Sequence, residues 1–103
     1  MNRALISLGS NTHAEAHIPR ALESLHSALA IERETAAIQT EPVDFPYPSG
    51  LFTNLLILAY TPMSQADLIN LLHNIEQEAG RNRKHPELVT LDVDLIQWND
   101  EVL

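Results

Sequence analysis

The chain has 103 residues, 45% of them hydrophobic, with a formal net charge of -8. That balance fits one domain spanning residues 1–103 with a modest core, and excludes a disordered tract, a basic nucleic-acid surface and attachment to an anionic membrane. It has no cysteine, which excludes disulfides, thiol catalysis and thiolate metal sites and fits a cytoplasmic location.

The apolar run near Met1 is too short for a signal peptide or a membrane span. Ala4 to Leu8 reads as a buried first strand, ended by the turn residues Gly9-Ser10-Asn11. Ser10, Asn11 and Thr12 are residue types that cap helices. Ile18, Ala21, Leu22, Leu25, Ala28 and Leu29 then form one apolar stripe, which predicts a helix from about Ala14 to about Ala30. Ile31 to Thr40 alternates weakly and reads as a strand. Glu41 to Gly50 contains Pro42, Pro46 and Pro48 and reads as a loop, of a length and composition that is often functional. Phe52 to Thr61 carries the strongest strand signal. Its Leu55–Ala59 run predicts a centre strand covered on both faces, or nearly so.

Ser64-Gln65-Ala66-Asp67 is a capping-box variant. Leu68, Leu71, Leu72, Ile75 and Ala79 follow at helical spacing and Gly80 supplies a stop, predicting a second helix over about Gln65 to Ala79. The order βαββαβ predicts an α+β fold of the ferredoxin-like plan: a four-stranded antiparallel sheet with two helices on one face.

The last strand reads Thr90-Leu91-Asp92-Val93-Asp94-Leu95-Ile96-Gln97-Trp98. Side chains two apart on a strand share a face, so Asp92 and Asp94 project together, opposite Leu91, Val93 and Leu95. Adjacent carboxylates repel, and a hard divalent cation offsets that repulsion directly. The alternative is a solvated edge strand whose charges block aggregation. Just upstream, Arg81, Arg83 and Lys84 bring half of the chain's six basic residues into one turn. They would equally suit the C-terminal end of a helix dipole. Cations beside paired carboxylates also suit phosphoryl transfer, a reaction that is mostly positioning and charge neutralisation. His13 and His17 share a helix face but lack a third ligand and read as surface histidines. No P-loop or G-x-G-x-x-G is present.

Four stretches together resemble the 6-hydroxymethyl-7,8-dihydropterin pyrophosphokinase family. They are Leu8-Gly9-Ser10-Asn11, Gln39-Thr40-Glu41-Pro42-Val43, Phe52-Thr53-Asn54, and Glu76 through Lys84 followed by Leu91-Asp92-Val93-Asp94. They occur in the family's order and span essentially the whole chain. The resemblance implies transfer of pyrophosphate from ATP to a hydroxymethyl pterin in folate biosynthesis, giving the pterin diphosphate and AMP. It implies that Asp92 and Asp94 hold two Mg²⁺ ions with ATP. Arg81, Arg83 and Lys84 would lie on the nucleotide side, with Arg81 catalytic alongside the two aspartates. Thr40, Val43, Phe52, Asn54 and Gly9 would form the pterin pocket, and Asn11 would order the proline loop. Where the family has R-W-G-P-R-T before its aspartates, this chain has His85-Pro86-Glu87-Leu88-Val89-Thr90. The family's C-terminal segment is also absent from these residues. The alternatives are a non-catalytic pterin or nucleotide binder on the same scaffold, and an acidic α+β interaction module.

Overall fold

In the computed structural model, which describes residues 1–103, the chain runs β1 (Asn2–Ser10), α1 (Ala14–Ala28), β2 (Ala30–Glu34), β3 (Ile38–Thr40), β4 (Phe52–Thr61), α2 (Gln65–Glu78), β5 (Asp92–Trp98) and β6 (Glu101–Val102). The strands form one antiparallel sheet in the order β2-β4-β1-β5-β6, with β3 also paired to β4. The fold is therefore α+β, with six strands where four were expected. The Ile31–Thr40 segment splits because Thr35 leaves the regular ladder. Its hydroxyl accepts the Leu56 N–H while its own N–H bonds the Leu56 carbonyl. The sixth strand is a two-residue return that pairs with Gln97 and Trp98.

Alternation sorts the strand residues. Ala4, Ile6 and Leu8 of β1, Leu55, Ile57 and Ala59 of β4, and Val93 of β5 join one buried cluster with Ile18, Ala21 and Leu25 of α1 and Leu68, Leu72 and Ile75 of α2. Both helices thus cover the same face of the sheet. The opposite face has no such cover. Leu56 is 39% exposed there, so β4 is a centre strand covered on one face only, not on both. The alternate residues on this open face include Asn54, Gly9 and Asp92, brought into one row by the pairings of Gly9 with both other residues.

The helix ends differ from each other in how they are stabilised. α1 begins after His13, which is left-handed (φ 48°) and makes no side-chain cap. Ser10, Asn11 and Thr12 are not the caps, because their polar groups are engaged elsewhere, chiefly with Val89. α2 has the expected cap: the Ser64 hydroxyl accepts the Asp67 N–H at 3.1 Å. Its C-terminal end is closed by Gly80 at φ 77°. There the Arg81 N–H reaches back to the Glu76 carbonyl, the reversal that a left-handed glycine permits. No helix is long and apolar enough to cross a membrane.

Candidate active site

The open-face row ends at a cavity of ≈ 500 Å³. Thr40, Glu41, Pro42, Val43 and Phe45 border it from the β3 side and the proline segment. Phe52 and Asn54 of β4, Arg81, Val89 and Asp92 complete it. Strand pairing explains the convergence. Thr40 lies opposite Phe52, Asn54 opposite Gly9, and Gly9 opposite Asp92.

Asn54 is held from two directions. Its Nδ2 donates to the Thr40 hydroxyl, which turns its Oδ1 toward Gly9. A Cβ on Gly9 would meet that Oδ1 at 3.0 Å, so the buried glycine leaves the space the amide occupies. Phe52 meets Phe45 edge to face, with centroids 5.4 Å apart, and Phe45 meets Tyr47 in the same way. Val43 borders the cavity but is largely exposed.

Asn11 stands outside the cavity and ties its margins. Its Oδ1 accepts the Val89 N–H at 2.7 Å, and its Nδ2 donates to the Ser49 hydroxyl and the Glu87 carbonyl, both at 2.9 Å. Its backbone N–H bonds the Val89 carbonyl. The proline segment and the 87–89 segment are thereby joined to the end of β1.

Arg81 is placed by the Gly80 reversal. Its Nη1 donates to the Leu91 carbonyl at 3.4 Å, and its buried Nε has no protein partner. The guanidinium so retains donor capacity beside Asp92. Arg83 and Lys84 are exposed on the following turn and do not border the cavity.

Asp92 and Asp94 lie on the open-face side of β5, with buried Val93 between them on the other. Asp92 borders the cavity. Asp94 sits one pleat further along and borders a separate shallow recess with His73 of α2. The Asp94 carboxyl is pushed up to about 6, first by its partial removal from water and then by Asp92, against the pull of Arg81 and His73. The residue as a whole still reaches solvent. Behind the pair, Glu76 of α2 is 5% exposed, and its Oε2 accepts the Val93 N–H at 3.3 Å. Burial above all holds its carboxyl above the usual range. The Val93 N–H opposes this, while a hydrogen bond with Asp92 and the charges of Asp92 and Asp94 add to it.

No group of three His, Asp or Glu side chains is arranged to hold a metal ion by itself. Two crowded carboxylates on one strand face are nonetheless the oxygen donors that Mg²⁺ uses when substrate and water supply its remaining ligands. The donor set therefore fits that ion.

Glu41, Pro42, Phe45 and Val89 border the cavity without having been among the expected site residues, and Glu76 stands behind it. Phe45 could have been found as an aromatic between Pro42 and Pro46 in a segment expected to be functional. Glu76 falls four residues after Leu72, on the helix stripe that should be apolar, and a charge at such a position is a signal in itself.

Fold and site define an α+β protein with a carboxylate- and guanidinium-edged cavity at one end of an antiparallel sheet. The chain belongs to the 7,8-dihydro-6-hydroxymethylpterin-pyrophosphokinase (HPPK) family, whose model matches residues 5–103. It is 30% identical over 106 residues to the 2-amino-4-hydroxy-6-hydroxymethyldihydropteridine pyrophosphokinase of Bacillus subtilis (strain 168), covering 97% of this chain and 62% of that protein. It is 27% identical over 107 residues to the protein of the same description from Aquifex aeolicus (strain VF5), covering 100% of this chain and 65% of that protein. The chain thus spans just under two thirds of the length of these relatives.

Proposed function

We propose that this protein transfers the pyrophosphoryl group of ATP to 6-hydroxymethyl-7,8-dihydropterin. The hydroxymethyl oxygen attacks the β-phosphorus and gives up its proton to water, the bond from that phosphorus to the oxygen bridging it to the α-phosphate breaks, and AMP leaves. The observation that carries this reading is a single cavity bordered both by Phe52, Asn54, Thr40 and Val43 and by Asp92 and Arg81. The first group suits a flat heterocycle with a hydrogen-bonding edge. The second suits phosphate oxygens.

Asn54, oriented by Thr40, offers its amide to the ring edge. Phe52 and Phe45 supply aromatic surface, which favours a flat ring. Arg81 directs its free donors at phosphate, a geometry for which guanidinium is well suited. Arg83 and Lys84, on the neighbouring turn, add positive charge on the same side. Asp92 and Asp94 would hold Mg²⁺, which supplies neutralisation of phosphate charge when bound. The reading rests on family membership and on this convergence. It is extended to a protein that acts in the cytoplasm and to a single domain of ferredoxin-like plan, for which the supporting feature is the order β2-β4-β1-β5 with both helices on one face.

The test is AMP release from ATP with Mg²⁺ and the pterin alcohol. Pterin-dependent AMP from the wild type, lowered about 100-fold or more in Asp92→Ala and in Asp94→Ala, is the expected result. Pterin binding without AMP would instead identify a binder on the same scaffold.

A further inference from the structure

We propose that Glu76 is the positioning residue of the Asp92/Asp94 pair, setting the spacing and direction of the two carboxylates from behind the strand. The inference rests on the proposed role of that pair in holding Mg²⁺ with ATP, and adds a residue on a different element to it.

β5 pairs with β1 along one side, while its other side is covered by β6 only at Gln97 and Trp98. The Val93 N–H would otherwise be an unpaired donor on that side, and such a buried donor is costly. Glu76 supplies the acceptor from α2, at 3.3 Å. Val93 is the residue between the two aspartates, so fixing its peptide fixes the backbone from which both project. Asp92 is also among the groups that raise the Glu76 carboxyl, so the two acids are neighbours. One buried group therefore holds the strand at the peptide between the two acids.

Filling a core gap would not require this side chain. The positions around it on α2, Leu68, Leu72 and Ile75, are met by apolar residues in the buried cluster. A carboxyl buried to 5% exposure opposes the folding preference of an acid. Its Oε2 is instead used by the N–H of Val93, the residue between the two aspartates. Groups behind metal ligands commonly change metal affinity or activity about 10–100-fold when removed.

Two substitutions separate reach from charge. Glu76→Gln keeps the length, offering a carbonyl to Val93 and an N–H to Asp92. Glu76→Asp keeps the charge but withdraws by one methylene from both. The measurement is calorimetric titration of each chain with Mg²⁺ and α,β-methylene ATP, after far-UV circular dichroism has established native helix content. We expect Glu76→Gln to bind the metal–nucleotide pair within about threefold of wild type. We expect Glu76→Asp to need about tenfold more Mg²⁺ for half-saturation. Glu76→Leu, which keeps apolar packing, takes the same arm if the aspartate variant does not fold. The split should recur in kcat at fixed Mg²⁺ and diminish as Mg²⁺ is raised, which a purely structural role would not produce. Folded Glu76→Asp or Glu76→Leu binding like wild type, or Glu76→Gln losing as much as they do, overturns the proposal while leaving the pyrophosphokinase reading intact. A wild type that shows no metal-dependent nucleotide binding overturns both.

Discussion

Gly9 and Asn54 are opposed across β1 and β4, and the amide oxygen of Asn54 stands where a side chain on Gly9 would begin. A Cβ there would lie 3.0 Å from Oδ1, tight enough to push the amide away but not to break the ladder. Gly9→Ala should therefore fold, with a melting temperature close to wild type. Pterin affinity should fall about tenfold or more, because small misplacements of an orienting group are costly. Fluorescence titration with the pterin checks this, and unaltered affinity would show that the amide is not held for the ligand.

The acids of β5 should be separable from the fold. Asp92→Ala should lower AMP release by about 100-fold or more, and binding of the metal–nucleotide pair with it. Circular dichroism should remain native, since neither aspartate joins the buried cluster.

The pH dependence of stability has a definite sign. The folded Asp94 carboxyl is pushed up to about 6 from the ordinary value of 3.8, chiefly by its partial removal from water. A carboxyl raised in this way favours the protonated folded state. Its effect is absent well below 3.8, and stability is lost as pH rises from about 4 through about 6. Asp94→Asn should remove that loss and make the metal-free protein more stable than wild type at pH 7. Urea unfolding from pH 4 to 7 measures the difference, and parallel curves for the two proteins would count against it. Mg²⁺ added with nucleotide should recover the lost stability in wild type and not in the variant.

Asn11 should matter more for stability than a half-exposed polar residue usually does. Asn11→Ala removes the acceptor of the Val89 N–H and the donors to Ser49 and Glu87. At about 1 kcal/mol for each bond, the loss should reach about 2–3 kcal/mol. Asn11→Asp keeps the acceptor and loses the donors, and should fall between. Thermal unfolding orders the three proteins.

Phe45→Ala should weaken pterin binding by about 0.5–1.5 kcal/mol, through the edge-to-face contact with Phe52. Binding of nucleotide should be unaffected. Equal loss of both ligands would mean that Phe45 supports the segment and not the ring.

The strand sequences were legible where one face is buried. Asp92–Trp98 alternates at its start, and that alternation alone puts the two aspartates on the opposite side from the core; the unbroken apolar run Leu55–Ala59 concealed the open face of β4, where Leu56 is exposed. The capped start of α2 at Ser64 was legible for a local reason, as its partner Asp67 is three residues away. Ser10, Asn11 and Thr12 carry equally good capping chemistry but serve partners more than seventy residues distant in the case of Ser10 and Asn11. No local pattern reports such a partner. The break between β2 and β3 was hidden in the same way, since Thr35 takes its partner from Leu56. The order of the site motifs along the chain was visible, whereas their meeting in one cavity depends on pairing registers. The aromatic contact of Phe45 could only come from the folded chain.

Asn11 carries a further implication. The two rims of the cavity, one from the proline segment and one from residues 87–89, belong to stretches far apart in the chain, yet a single carboxamide bonds to both. A side chain outside the cavity thus links its two borders. A ligand that drew either rim inward would pull through that hinge on the other, so the two borders should tighten together.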